Sequence, residues 1–157
     1  MERELDGMLT MLIETVLERG QAEAELPLVL HIGGLVVSGT AIPAVAYFQQ
    51  VGTGLRVGGH NLSAVFQELA DLDRGRESEK ERLEQRLDRA TEGGRELTDD
   101  EREQFALEFE ETETAYLHLK EVQIHGASTP PIRLPFWRAR LADVSGWTFR
   151  GSQDRLE

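Results

Sequence analysis

Tyr116-Leu-His-Leu-Lys-Glu-Val-Gln-Ile-His-Gly126, a Pro130-Pro131 break, and Phe136-Trp-Arg-Ala-Arg-Leu-Ala-Asp-Val-Ser-Gly-Trp-Thr-Phe-Arg-Gly151 decide the fold. In the first run the apolar positions Leu117, Leu119, Val122 and Ile124 alternate, but the phase slips between Leu119 and Val122. That slip predicts a bulge or bend near Lys120-Glu121, because side chains otherwise change face at every residue. In the second run Phe136, Arg138 and Arg140 take one face and Trp137, Ala139 and Leu141 the other. Residues 142–146 read as a tight turn before a short last strand at 147–150. Val144, Trp147 and Phe149 are its candidate core anchors.

Working upstream, Leu26-Pro-Leu-Val-Leu-His-Ile32 and Leu35-Val-Val-Ser-Gly-Thr-Ala-Ile42 flank Gly33-Gly34. Two β-rich runs around a Gly-Gly pair predict a hairpin whose turn has positive φ at both central residues. Gly39 inside the second run predicts a bulge or sharp bend, and Pro43 ends the pairing. Before the hairpin, Leu5, Met8, Leu9, Leu12 and Val16 recur at helical spacing and Arg19-Gly20 supplies a stop, predicting a helix over 3–19. Its polar side is acidic (Glu2, Glu4, Asp6, Glu14, Glu18), so packing is expected of its apolar face rather than attachment to anionic lipid.

Between the β-rich ends the chain reads as helical. Val45, Phe48, Val51 and Leu55 form one face. After Gly58-Gly59, Asn61 is a candidate cap for Leu62, Val65, Phe66, Leu69 and Leu72. Ser78 with Glu81 and Thr98 with Glu101 both match the capping-box pattern. The expectation is three short helices, with hinges near Gly75 and Gly93, rather than one coiled coil, because sustained heptads are absent.

The 157 residues suit one domain. With 39% hydrophobic residues it can build a core, while 29% charged residues leave much solvated surface. The net charge of −12 is uneven: residues 61–115 hold 18 acidic against 8 basic side chains, whereas residues 116–157 hold 4 against 6. An acidic middle beside a mildly basic end favours salt-sensitive contacts between copies and opposes tight, sequence-independent nucleic-acid binding. No cysteine is present, which removes disulfides, thiolate catalysis and cysteine-type zinc sites and is compatible with a reducing cytoplasm. The apolar run 7–17 is broken by Glu14 and too short to span a bilayer, which takes about 20 residues. No leader pattern is read there either. A cytoplasmic protein with no membrane contact is expected.

No motif carries catalysis. Gly52-Thr-Gly54-Leu-Arg-Val-Gly58 lacks the Lys-Ser/Thr of a phosphate-binding loop and reads as a helix-breaking loop. His31, His60, His118 and His125 are scattered, and regular alternation would put His118 and His125 on opposite faces, so no metal site is expected. Carboxylate pairs are indistinguishable from the solvated face of an acidic helix, and no serine has a nucleophile-elbow context. Arg138 and Arg140 beside Phe136 and Trp137 could form a cation–aromatic face, although an outward strand face whose arginines pair with acidic neighbours is the commoner arrangement.

The expected class is α+β. Five short, bent strands with an N-terminal helix, an internal glycine in the second strand and a turn before the fifth resemble the Sm-like barrel. An acidic helical insertion of about seventy residues separates strands 2 and 3, against roughly 2–5 in a hairpin loop. One domain is expected: helix and hairpin over 1–43, insertion over 44–113, barrel-completing strands over 114–151 and a tail over 152–157.

Tyr116-Leu-His-Leu-Lys120 with Phe136-Trp-Arg-Ala-Arg-Leu-Ala-Asp-Val-Ser-Gly-Trp147 resembles the gas vesicle accessory protein U family, and Leu28–Thr40 and Tyr47-Phe48 look similar too. Ala139 stands where that pattern has glycine, Phe136 where a second tryptophan is common, and Trp147 where Phe is usual. The resemblance implies no catalytic residue and no cofactor. It implies a role in vesicle assembly or clustering through self-association, with the vesicle shell or other accessory proteins as partners. Phe136, Trp137, Arg138, Arg140 and Trp147 are the candidate interaction face. Replacing Arg138 and Arg140 by Glu is expected to weaken self-association at low salt. The alternatives are an Sm-like RNA binder using Trp137, Arg138 and Arg140, a general oligomeric scaffold, and an enzyme without a recognisable motif.

Overall fold

Gly33 and Gly34 adopt φ of 56° and 79°, the positive values that let strands β1 (Leu26–Ile32) and β2 (Leu35–Ala41) fold back on each other. Their register runs from Leu26↔Ala41 to Ile32↔Leu35. The computed structural model describes residues 6–19, 23–54, 56–57, 60–127 and 129–151, with backbone alone at 56–57 and 60–61. Three further strands complete one antiparallel sheet: β5 (Tyr116–His125), β6 (Ile132–Arg140) and β7 (Val144–Phe149), in the order β6-β5-β2-β1-β7. Two-residue strands β3 (Arg56–Val57) and β4 (His60–Asn61) form a separate small ladder that the sequence reading did not anticipate.

The expected bend in β5 is present. Ser38 pairs with Gln123 but Thr40 with Lys120, so Glu121 and Val122 together oppose Gly39. Glu121 takes φ 53°, and the slip returns Val122 and Ile124 to the face of Leu117 and Leu119. Gly39 is needed at this point: a Cβ there would sit 3.3 Å from the Lys120 carbonyl oxygen.

The expected closure into an Sm-like barrel is not found. The sheet stays open, with β6 and β7 at opposite edges. An open sheet needs a cover for its apolar face, and the N-terminal helix supplies one. Helix α1 (Gly7–Leu12) runs into a π-helical turn (Ile13–Glu18), and Leu9, Ile13 and Leu17, each 1% exposed, enter one core with Leu28, Leu30, Val37, Leu117, Leu119 and Val122. Each such burial is worth roughly 1.5–3 kcal/mol. Asp6 caps α1 by accepting from Met8 N–H and Leu9 N–H; residues 3–5 and Gly20 of the expected helix lie outside the described residues. A 3₁₀ turn at Leu141–Asp143 replaces the tight turn expected at 142–146.

The opposite side of β5 receives α2 (Ala44–Gly54), which packs Ala44 and Phe48 against Phe66 and Ala70 of α3 (Ser63–Ala90). Helix α3 corrects the expectation of three short helices. It continues unbroken through Gly75, and Ser78 is an interior residue rather than a cap. Ion pairs Asp71–Arg74, Asp73–Arg76 and Glu79–Arg82, each one helical turn apart, line this stretch, and Asp73–Arg76 crosses the supposed hinge. The helix starts after Leu62, so Asn61 is not its cap. Gly93 and Gly94, at φ 75° and 79°, make the reversal into α4 (Asp99–Glu111). There the expected Thr98–Glu101 capping box is formed. Helix α4 buries none of its residues and folds back on α3 through Arg86, which pairs with Glu108 at 2.6 Å and lies 5.4 Å from the Phe105 ring centre.

Two helical glycines should respond oppositely to alanine. A Cβ on Gly75 meets nothing within 4 Å, so Gly75→Ala should stabilise by about 0.5–1 kcal/mol. A Cβ on Gly52 would lie 2.7 Å from Phe66 Cβ, at the base of that side chain, so Gly52→Ala should cost about 1–3 kcal/mol. Urea unfolding of both variants reads the two signs directly.

Candidate interaction site

The pairing of β5 with β6 sets Leu119 opposite Trp137 and His118 opposite Arg138. One face of this pair joins the core: Trp137 packs against it and Ala139 is buried. The other face gathers Tyr116, His118 and Phe136 beside α2, with Arg138 exposed at the rim of the group. Arg138 Nε–H donates to His118 Nε2 at 3.1 Å, and its guanidinium carbon stands 3.6 Å from the Tyr116 ring centre and 5.8 Å from that of Phe48. Tyr47 reaches the His118 ring at 4.8 Å between centres and Phe136 edge-on at 5.8 Å.

The five residues singled out in the sequence therefore occupy different environments. Phe136 and Arg138 belong to this aromatic cluster, and Arg140 is exposed on the same edge strand. Trp137 lies on the core side of β6. Trp147 also packs on the core, but from the opposite edge of the sheet, and its indole N–H donates to Asp6 Oδ2 at 3.0 Å.

His118 is the member that sequence reasoning passed over. Its Nε2 accepts from an arginine, which requires the neutral imidazole with its proton on Nδ1. Burial, with Arg138 and Arg76 adding repulsion, pushes its pKa down to about 3. The bulge at Glu121 also restores the alternation, so His118 and His125 share a face rather than lying on opposite ones as expected. His125 is exposed, and among the described residues no group of His, Asp or Glu could hold a metal ion.

Next to this cluster lies a second set of groups, gathered from three elements. Glu18, closing the π-helical turn, accepts from Ala44 N–H at the start of α2 (3.3 Å). On α3, Arg76 pairs with Asp73 at 2.6 Å, where the Asp73 side chain is 9% exposed, and Lys80 pairs with Glu14 at 2.6 Å. Burial, with Asp73 and Glu77 adding repulsion, pushes Glu18 up to about 7. Burial also raises Asp73 against the pull of Arg76, Arg138 and Arg74, and Glu77 against that of Lys80 and Arg76. Asp73 Oδ2, Arg76 Nε and Glu77 Oε1 are buried without a hydrogen-bond partner. The 73/76/77/80 spacing puts these charges on one side of a helix and is legible; that the side faces inward is not.

The segment 52–58 shows a helix end at Gly52–Gly54, while Leu55 and Gly58 lie outside the described residues, as does Gly59 of the pair before Asn61. Among the described residues no helix is long and apolar enough to cross a membrane. No curated protein and no solved structure matches the chain significantly. A family model described as gas vesicle protein GvpU-like matches residues 6–151, which takes in the helices, the whole sheet and both polar clusters, and the chain belongs to that family.

Proposed function

We propose that this chain is a non-enzymatic gas vesicle accessory protein that assists vesicle assembly or clustering by associating with itself and with protein surfaces. Its membership of the GvpU-like family carries the reading. The charge distribution supports the self-association part. Helix α4 holds seven acidic residues and one basic residue with none buried, while Arg133 and Arg140 are exposed on edge strand β6. Weak contacts between the acidic arm of one copy and the basic edge of another are multivalent, so avidity can cluster vesicles without any strong single contact. Of the three residues an RNA-binding role would use, Trp137 packs on the core, whereas Arg138, engaged by His118 and Tyr116, and Arg140 are exposed. The aromatic half of that reading is the part the packing counts against.

Arg138 is exposed but also holds His118 and stacks on Tyr116, so the charge test belongs to Arg133 and Arg140, whose replacement leaves that cluster intact. The double variant Arg133→Glu/Arg140→Glu should weaken self-association at low salt by roughly fivefold, read by sedimentation velocity. Unchanged association would remove the charge-pairing model. The vesicle role is tested by co-flotation with stripped gas vesicles at low and moderate salt. Salt-sensitive recruitment into the buoyant layer with clustering is expected; protein left wholly in the lower phase would count against it.

A further inference from the structure

The open sheet has two edges, and they are defended differently. An edge strand offers unpaired N–H and C=O groups to any strand that reaches it, and proline and charged side chains are the usual protection. Edge strand β6 has both: Pro135 interrupts it, and Arg133, Arg138 and Arg140 are exposed along it. Edge strand β7, Val-Ser-Gly-Trp-Thr-Phe over 144–149, has neither. Among the described residues no strand pairs with its outer side. At its end Phe149 is 50% exposed, with its ring edge-on to Trp147 at 5.5 Å between centres. Both rings stand on the core face of the sheet, where Trp147 packs against the core and Phe149 continues the apolar surface into solvent.

The ladder shows which main-chain groups of β7 are free. Arg150 N–H donates to Pro27 O, one step beyond the pairs Leu28↔Phe149 and Val29↔Thr148. Bonding alternates along an antiparallel ladder, so Thr148 turns its N–H and C=O to β1, whereas Trp147 and Phe149 turn theirs outward. We propose that this edge is a dimer interface: β7 pairs antiparallel with β7 of a second copy across a two-fold axis at Thr148, which sets Trp147 of each copy opposite Phe149 of the other. This register joins outward groups to outward groups through about four main-chain hydrogen bonds. It also faces aromatic with aromatic on the core side, a favourable cross-strand pairing. A second copy is the occupant because the strand complements itself. Pairing β7 with β7 brings no like charges together, whereas β6 against β6 would set arginines beside arginines. Adding β7 to β6 would strip water from those arginines without supplying a carboxylate.

The consequence for clustering rests on the accessory role proposed above. One copy has a single acidic arm, α4, and a single basic edge, β6, which link copies only into chains or rings. A dimer paired through β7 leaves the two β6 edges at opposite ends of one continuous sheet. It therefore carries each feature twice, and weak arm-to-edge contacts can branch. The dimer contact itself is main-chain and apolar, so salt that dissolves the arm contacts should spare it.

The full chain at roughly 100 μM should sediment as a dimer and remain one at about 0.5 M salt. Thr148 is exposed on the face away from the core, so Thr148→Lys should keep the fold while setting two cations against each other at the axis. That variant should sediment as a monomer. Mixing it with Thr148→Glu should restore the dimer, as pairing of position 148 with itself requires. Amide exchange then locates the interface. The outward Trp147 and Phe149 N–H groups should exchange on the order of tenfold faster in Thr148→Lys than in the wild type, while Thr148 N–H, bonded to β1, stays protected in both. A monomeric wild type, a Thr148→Lys protein that still dimerises, a mixture that stays monomeric, or Trp147 and Phe149 amides equally open in wild type and variant would each overturn the proposal. Should Thr148→Lys not fold, Phe149→Lys at its exposed position supplies the same loss of dimer. Salt-sensitive recruitment to vesicles can persist without this dimer, and the dimer without recruitment, so the two readings fail separately.

Discussion

Acidification should leave the stability of this protein nearly level between about pH 6.5 and 4.5 and then remove it steeply. The opposed behaviour of His118 and Glu18 sets that shape. His118 falls from 6.5 to about 3 on folding, so the unfolded chain takes up its proton first. The fold is therefore penalised progressively as pH drops from 6.5 to 3, to a total on the order of 5 kcal/mol. Glu18 rises from 4.5 to about 7 on folding, so the fold takes up that proton first and gains stability as pH drops from 7 to 4.5. In the shared window the two slopes cancel. Below 4.5 the Glu18 gain is complete and the histidine penalty continues, joined by the loss of the capping and ion-paired carboxylates Asp6, Glu101 and Glu108, whose pKa values are lowered in the fold. His118→Gln, which keeps an acceptor for Arg138 Nε–H and cannot titrate, should reduce the steep limb to the carboxylates' share. It should instead show stability that rises as pH falls from 7 to 4.5. Urea midpoints measured at half-unit steps from pH 3 to 8 distinguish these curves. An acid limb equally steep in His118→Gln would assign the acid sensitivity to the carboxylates instead.

That histidine also marks where reading the chain stops and needing its register begins. Local backbone requirements were legible. Gly33-Gly34 demanded a positive-φ turn, the slip between Leu119 and Val122 demanded a bulge, and Thr98 with Glu101 demanded a helix start; each follows from residues next to one another. What depends on distant pairing was not. His118 meets Arg138 only because β5 and β6 pair in one particular register, and nothing in either segment names it. Whether the sheet closes was equally hidden. Five bent strands are consistent with a barrel, but Leu9, Ile13 and Leu17 cover the apolar face, so the sheet can bury that face without rolling up. Gly75 misled for a simpler reason. A helix tolerates glycine at about 1 kcal/mol, and three ion pairs along this stretch offset that cost. The carboxyl cluster was hidden by composition, since in a segment with 18 acidic residues an inward-facing Asp73 looks like any solvated one.

Lys80→Met should destabilise by about 3 kcal/mol, and more than Glu14→Leu does, although both remove the same ion pair. The pair joins the N-terminal helix to α3 at 2.6 Å, with side chains 10% and 21% exposed for Lys80 and Glu14. Such a pair contributes little net stability, because desolvating two charges consumes most of their attraction. Breaking it from one side is different, since the remaining charge stays largely desolvated without its partner. The two sides are not equivalent here. Lys80 also draws on Glu77, so its loss leaves Glu14, Glu18 and Glu77 together with Arg76 as the remaining cation, already paired with Asp73. Glu14→Leu leaves Lys80 beside Glu77, where it finds a substitute partner, and should cost only about 1–2 kcal/mol. The double variant Glu14→Leu/Lys80→Met should lie within about 1 kcal/mol of the wild type, as apolar replacements of paired buried charges do. The cost of Lys80→Met should also shrink as pH is lowered and Glu18 and Glu77, both raised by burial, take up protons. A double-mutant cycle by urea unfolding at pH 8 and pH 5 reads all of this. Equal single-variant costs at both pH values would mean that the pair acts alone and that the carboxyl cluster around it is not electrostatically connected.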